Sequence, residues 1–266
     1  MPFTAKSGKF NASINAVEFG TGDKAVKIGG ENVFPLYSFD AAIENAPKVG
    51  IEITDFGMEH EPECIKKYYE GCATLADMAR KAASMEGVDF LSFRMEGGDP
   101  NGANKSTEEL IGELKEIADA VDLPLVVCGC KNVEKDAELF SKAAEALNGK
   151  NAVILSAKEE NYKTVGAAAG LAYKQVVGAE SAVDINLAKQ LNVLISQLGV
   201  DSKSVVMNVG TAAVGYGFEY VISTMDRVKA AALQQGDANL QMPIITPVAS
   251  EAWGVKEAMA SETDAP

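Results

Sequence analysis

The sequence predicts an α/β protein built as a (β/α)8 barrel of the TIM type, led in by an N-terminal β-hairpin. Three observations carry this. After about residue 48, short apolar runs alternate with amphipathic segments of helical period. The runs are bounded by Gly, Pro, Asp and Asn and most are rich in Val and Ile, as strands covered on both faces are. Polar residues recur at the ends of many runs. An open doubly wound sheet instead concentrates its site at a switch point, and the G-x-G-x-x-G that often marks it is missing after the first strand.

Residues 1–47 read as a hairpin and lead-in, and residues 48–266 as the barrel. "NASINAVEFG" (11–20) and "KAVKIGG" (24–30) flank a turn at Thr21–Gly22–Asp23; a hairpin there would plug the bottom of the barrel. "FPLYSFD" (34–40) leads to the first barrel strand. The strands are expected at 48–54, 88–95, 123–130, 151–157, 174–179, 204–210 and 242–248. The helices between them are expected at 106–121, 133–147, 183–199 and 218–234. In the first, Leu110, Ile111, Leu114, Ile117 and Val121 share one face, and Ser106 with Glu109 has the pattern of a capping box. A last helix at 250–261 is followed only by "ETDAP". Seven strands are one short of a barrel, so the final βα unit is expected to be missing.

With 266 residues, 47% hydrophobic and 23% charged, the composition is that of a globular chain. A net charge of −14 argues against nucleic acid or an anionic membrane as partner. No apolar run reaches a membrane span, and the N-terminus lacks a basic-then-apolar signal. The expectation is a cytoplasmic protein. Its four cysteines, Cys64, Cys72, Cys128 and Cys130, read as free thiols. The C-x-C of the last two matches neither a zinc nor a common iron–sulfur spacing. His60 is the only histidine, so a histidine-based metal site is not expected. No H-E-x-x-H, G-x-S-x-G or phosphate-loop motif occurs.

In such a barrel ligands bind at the strand C-termini. The polar residues there are Glu52 and Asp55 after the first strand, and Arg94, Glu96, Asp99 and Asn101 after the second. Cys130 and Asn132 follow the third; Ser156, Lys158, Glu160 and Asn161 follow the fourth. Asp184 and Asn186, Asn208 and Thr211, and Thr246, Glu251 and Trp253 follow the rest. Each has a plainer use. Asp99 before Pro100 starts a turn, Asp184 caps a helix, and Lys158 past its strand end is solvated sooner than catalytic. The mouth is polar, glycine-lined and poor in catalysts, which suits a binding platform at least as well as an enzyme.

"RMEGGDPNGANKS", "PLVVCGCKNVEKDAEL", "SAKEENYKTVGAAAG", "DINLAKQLNVLI", "GYGFEYVISTMDRVKAAALQ" and "MPIITPVASEAWGVKEA" follow in order from about residue 24 to residue 260. Together they closely resemble the small (delta) subunit of the corrinoid iron–sulfur protein of the acetyl-CoA decarbonylase/synthase complex. The resemblance implies a barrel paired with a large subunit, with a corrinoid (a cobalamin) held between the two and no iron–sulfur cluster in this chain. It implies a methyl group carried from a pterin methyltransferase to acetyl-CoA synthase. The loop "GTAAVGYGFEY" would lie beneath the corrinoid. Asp99, Asn101, Asn161, Asp184, Asn186, Asn208, Gly210, Thr211, Gly215, Tyr216 and Gly217 are assigned to it, and none to catalysis or a metal.

Three departures accompany the resemblance. Asn208–Val209 stand where relatives usually carry Asp-Pro. "FGMEHEPECIKKYYEG" matches relatives poorly, and relatives continue through an eighth βα unit. Two other readings stand beside it. One is a pterin-dependent methyltransferase of the same barrel superfamily, holding the pterin through Asp184, Asn186 and Asn208. The other is a structural partner subunit that contacts no cofactor.

Overall fold

A computed structural model of the chain describes residues 10–34, 43–213, 217–252, 255–256 and 260. Strands β1 (Val17–Phe19) and β2 (Val26–Ile28) pair antiparallel around a turn at Gly22–Lys24, with Val17 opposite Ile28. This is the expected hairpin. Nearly all of the lead-in 34–40 lies outside the described residues.

Six parallel strands follow: β3 (Gly50–Thr54), β4 (Phe90–Arg94), β5 (Leu125–Cys128), β6 (Val153–Ala157), β7 (Val176–Glu180) and β8 (Val205–Asn208). They lie side by side in chain order, with no reversal. A doubly wound sheet reverses at its switch point, so this is the winding of a TIM-like fold. The expected seventh strand at 242–248 contributes a single bridge, Ile244 against Met207. Met207 N donates to Pro243 O at 2.8 Å, and Ile245 N donates to Met207 O at 2.9 Å. Pro243 and Pro247 flank that bridge, and proline brings no N–H to a ladder. Among the described residues no ladder joins 242–248 to β3. A cavity of about 520 Å3, walled by Val49, Gly50 and Phe90 on one side and Ile244 and Ile245 on the other, separates them. The sheet is therefore TIM-like in its winding, and among the described residues no strand closes it into a barrel.

Helices α1 (Glu63–Tyr68) and α2 (Leu75–Ala83) fill the first connection. Then come α3 (Thr107–Ala120), α4 (Val133–Ala146), α5 (Tyr162–Val165), α6 (Ile185–Gln197), α7 (Phe218–Leu233) and α8 (Ala249–Ala252). The four long helices match expectation. The sequence reading placed no helix at α1, α2 or α5. Thr74 and Asp77 cap α2 reciprocally. Helix α5 runs on into a π-helical stretch, Gly166–Ala172. There a Cβ on Gly166 would lie 2.9 Å from Leu198, and one on Gly170 would lie 2.7 Å from Val200. Most of the expected helix at 250–261 falls outside the described residues.

Alternation along the strands sorts the core into two sides. Leu91, Phe93, Val127, Ile154, Val177 and Met207 pack under the helices. Val126, Cys128, Val153, Leu155, Val176 and Val206 face the other way and pack with Val17, Phe19 and Val26 of the hairpin. Gly20 N donates to Asn151 O at 2.7 Å, and Asn151 Nδ2 donates to Glu18 O at 3.0 Å. Asn151 lies just before β6, so the hairpin covers the end at which the strands begin. The opposite end is left for function.

The inner side changes character from one end to the other. At the hairpin end Phe90 lies over Gly50, where a Cβ would sit 2.1 Å from its ring, and meets Phe19 edge-on at 5.6 Å. One level higher, Arg94 Nε donates to Glu52 Oε1 at 3.0 Å and Nη2 donates to Oε2 at 2.9 Å. Both side chains are under a tenth exposed. A bidentate pair satisfies both charges where water cannot.

Gly50→Ala is expected to cost about 1–3 kcal/mol by overpacking Phe90. Gly112→Ala, on the exposed face of α3 where an added Cβ meets nothing within 4 Å, is expected to gain about 1 kcal/mol from helix propensity. Urea unfolding reads both, and a neutral Gly50→Ala would show that Phe90 yields. Glu52→Ala is expected to cost about 3–5 kcal/mol by stranding a buried guanidinium. The double variant Glu52→Leu/Arg94→Met is expected to recover most of that loss; a double variant no better than the single one would place the cost elsewhere.

Candidate functional site

At the C-terminal ends of the strands a polar cavity of about 230 Å3 opens. Asn208, the last residue of β8, is buried in its wall. Its Nδ2 donates to Ser156 Oγ at 2.9 Å, and its Oδ1 accepts from Gly210 N at 3.0 Å. Ser156 reaches the inner side because β6 breaks register between Ile154 and Ala157. Leu155 and Ser156 therefore both line the cavity, as a bulge next to a site allows. Gly178 on β7 makes room for Leu155: a Cβ there would lie 2.4 Å from Leu155 Cδ1. Glu180, ending β7, pairs with Lys158 at 3.3 Å. Across the opening Lys131 pairs with Glu251 at 2.5 Å.

The rim after β7 and β8 is unusual in its backbone. Ala182 and Val183 have φ of +44° and +68°. A β-branched residue in the left-handed region is a true outlier. It is held by Val183 N donating to Val209 O at 2.7 Å and Ser181 N to Asn208 O at 3.0 Å. Gly210, itself at φ +93°, comes so close that a Cβ would lie 3.3 Å from Ala182 Cα. Val183 is left 37% exposed, an apolar side chain offered to solvent at the mouth. Thr211 lines the cavity beside it, and its Oγ1 is buried with no hydrogen-bond partner among the described residues.

Burial works against a nucleophilic role for the thiols here. Burial pushes the Cys128 thiol up to about 11 against the pull of Arg94, and the Cys130 thiol up to about 12. Only the thiolate attacks. Burial also raises the Asp136 carboxyl above its usual range, opposed by the N–H of Cys130, which donates to it at 2.7 Å. Among the described residues no group of three or more His, Cys, Asp or Glu is gathered to hold a metal, and no helix is long and apolar enough to cross a membrane.

Of the residues assigned from the sequence, Asn208, Gly210 and Thr211 come together at this mouth. Gly215 and Tyr216 lie outside the described residues. Gly217 begins α7 at φ +124°. Others hold loops in place and do not line the cavity. Asp99 accepts from Asn101 N at 2.9 Å within its own turn. Asn161 accepts from Lys158 N at 2.7 Å and so fixes the loop that carries Lys158. Asp184 caps α6, and Asn186, whose N–H it accepts, is exposed. Lys158, read from sequence as solvated, is instead a wall of the cavity. Glu180 and Lys131 were missed. For Glu180 the available signal was its place as the polar end of "VVGAE".

At about 230 Å3 the cavity is below the roughly 300–1,000 Å3 that encloses drug-sized ligands. Gly210 and the left-handed Ala182–Val183 bring backbone and an exposed valine to the rim, where the uncharged Asn208 and Thr211 stand among the charged Lys131, Lys158, Glu180 and Glu251.

Comparison with known proteins bears on the whole chain. A profile of the family described as CO dehydrogenase/acetyl-CoA synthase delta subunit matches residues 16–263. Several proteins named acetyl-CoA decarbonylase/synthase complex subunit delta are similar. That of Methanothermobacter thermautotrophicus is 33% identical over 251 residues, covering 93% of this chain and 63% of that protein. That of Methanopyrus kandleri is 34% identical over 240 residues, covering 90% and 59%. That of Archaeoglobus fulgidus is 32% identical over 244 residues, covering 90% and 53%. The chain thus spans 53% to 63% of the length of these relatives. The match runs through hairpin, sheet and mouth alike, in agreement with the resemblance carried by the sequence strings: the chain belongs to the CO dehydrogenase/acetyl-CoA synthase delta-subunit family.

Proposed function

We propose that this chain is a subunit of an acetyl-CoA decarbonylase/synthase complex and forms one side of a corrinoid site. A large corrinoid iron–sulfur subunit supplies the other side. The observation that carries this reading is the rim formed by Ala182, Val183 and Gly210, with its exposed valine beside the uncharged Asn208 and Thr211. Strain of this kind persists where surrounding structure enforces it, and it concentrates at ligand sites. The family names of the relatives support the assembly.

The chemistry that a corrinoid supplies is reversible methyl transfer at cobalt, here between a pterin methyltransferase and acetyl-CoA synthase. The residues of this chain do the rest. Gly210 keeps the rim flat enough for close approach. Val183 covers apolar ring surface and excludes water from it. Asn208, fixed by Ser156 and Gly210, presents a rigid polar edge. With Cys128 and Cys130 held protonated, the chain contributes position and shielding; the bond-making group is not its own.

Co-expression with the large subunit and an absorption spectrum of the purified complex test the reading. A corrinoid spectrum is expected, with tighter binding by the complex than by this chain alone. Equal affinity for cobalamin in both, or a colourless complex after reconstitution, would overturn it. Val183→Asn separates the rim from the fold. Asparagine adopts the left-handed region more readily than valine, so thermal stability is expected to rise by about 1 kcal/mol. The lost apolar contact is expected to weaken corrinoid binding roughly fivefold, or about 1 kcal/mol. A variant that loses stability, or that binds as tightly as the parent, contradicts the role given to Val183.

A further inference from the structure

If the rim carries a corrinoid, as proposed above, the cavity behind it has a task of its own. We propose that it is a pocket for one neutral primary carboxamide, delivered by an amide arm of the ring.

The first argument is size. At about 230 Å3 the cavity excludes a ring, yet it has room for a short arm and a water or two, each water taking about 30 Å3. The second is charge. Its walls carry three cations, Arg94, Lys131 and Lys158, and three anions, Asp136, Glu180 and Glu251. Each has a partner already. Lys158 pairs with Glu180, Lys131 with Glu251, and Arg94 with Glu52 below, while Asp136 accepts from Cys130 N. An entering carboxylate or ammonium would meet as many like charges as opposite ones and would lose its hydration. A neutral dipole escapes that cost.

The third argument is hydrogen-bond complement. A carboxamide needs acceptors for its NH2 and a donor for its carbonyl. Glu180 and Ser156 Oγ offer the acceptors. Thr211, in the cavity wall, carries a buried hydroxyl that has no partner among the described residues and can serve as the donor. An orphaned buried hydroxyl in a cavity wall costs stability until something pairs with it. Leu155, Val183 and Pro247 supply apolar wall for the methylenes of an arm.

A carboxamide also ends the asparagine and glutamine side chains of a protein partner, so the test separates the two sources. The complex of this chain with the large subunit, freed of any corrinoid, is titrated with dicyanocobinamide and with the corresponding dicyano heptamethyl ester, in which every amide arm is an ester. In parallel, propionamide, propionate and propylammonium are titrated while amide NMR signals around the cavity are followed. The amide ring is expected to bind at least tenfold tighter than the ester ring, and only propionamide is expected to shift Asn208, Gly210 and Thr211. Thr211→Val removes a hydroxyl that has no protein partner, so folding is preserved. It is expected to weaken the amide ring about tenfold, to leave the ester ring unchanged, and to abolish the propionamide shifts. Equal binding of the two rings, a preference for propionate or propylammonium, or an unaffected Thr211→Val overturns the pocket while the rim reading stands. Failure of both rings to bind overturns the rim reading, and the pocket with it.

Discussion

A charge inside a sheet interior must bring its own counter-charge, and much of this structure follows from that constraint. Arg94 is 7% exposed, and its guanidinium has few places to discharge its hydrogen bonds. Glu52, on the neighbouring strand and facing the same way, accepts two of them. The parallel register that sets Glu52 beside Ser92 and Thr54 beside Arg94 makes the reach possible. A one-residue slip would turn every side chain of β3 to the other face and leave the guanidinium alone. The pair therefore marks a boundary: toward the hairpin the interior is apolar, and toward the strand ends it is polar. The mouth is hydrated and chemically addressable because the layer beneath it has already ended the dry core.

The mouth itself is built by breaking local rules. β6 abandons strict alternation so that Leu155 and Ser156 both face inward. Gly178 gives up a side chain so that Leu155 fits, and Gly129 does the same for Asp136, whose Oδ1 a Cβ there would meet at 2.2 Å. Ala182 and Val183 accept left-handed backbone. Local sequence preference and global fold agree almost everywhere else, and conflicts of this kind gather at sites of function.

Much of the fold was legible in the sequence because buried parallel strands are short apolar runs with polar ends. β3 to β8 fall inside the runs read that way, except that β7 extends one residue further, to Glu180. Long amphipathic helices such as α3 were equally plain. α5 and the stretch after it were not: "VGAAAG" has almost no polar face to contrast with an apolar one, and its helical state comes from packing Gly166 and Gly170 against Leu198 and Val200. The run at 242–248 looked like a strand by composition, but with its two prolines it pairs through a single bridge. At the site, Asn208, Gly210 and Thr211 were legible as a polar strand end with a glycine turn. Ser156, Lys158 and Glu180 form a group only through the bulge and the winding of the sheet, which no linear spacing records. The helix cap at Asp184 and the turn at Asp99 were legible too, from the residues that follow each.

The hairpin has a consequence for how the chain reaches this state. Its partners are distant: Glu18 meets Asn151 across 133 residues, and Asn15 N donates to Gln241 O near the last bridge. Two short strands are marginal by themselves, so this piece gains its stability only after the sheet has been laid down in order. It has the place of a keystone, made before the sheet yet held by contacts that exist only once the sheet is formed. Contacts of such long sequence separation slow folding and tie remote segments into one cooperative unit. Until the keystone is in place, the inner faces of β5 to β8 have no cover at that end, and the interval before it docks is when the nascent sheet is most open to association with other chains.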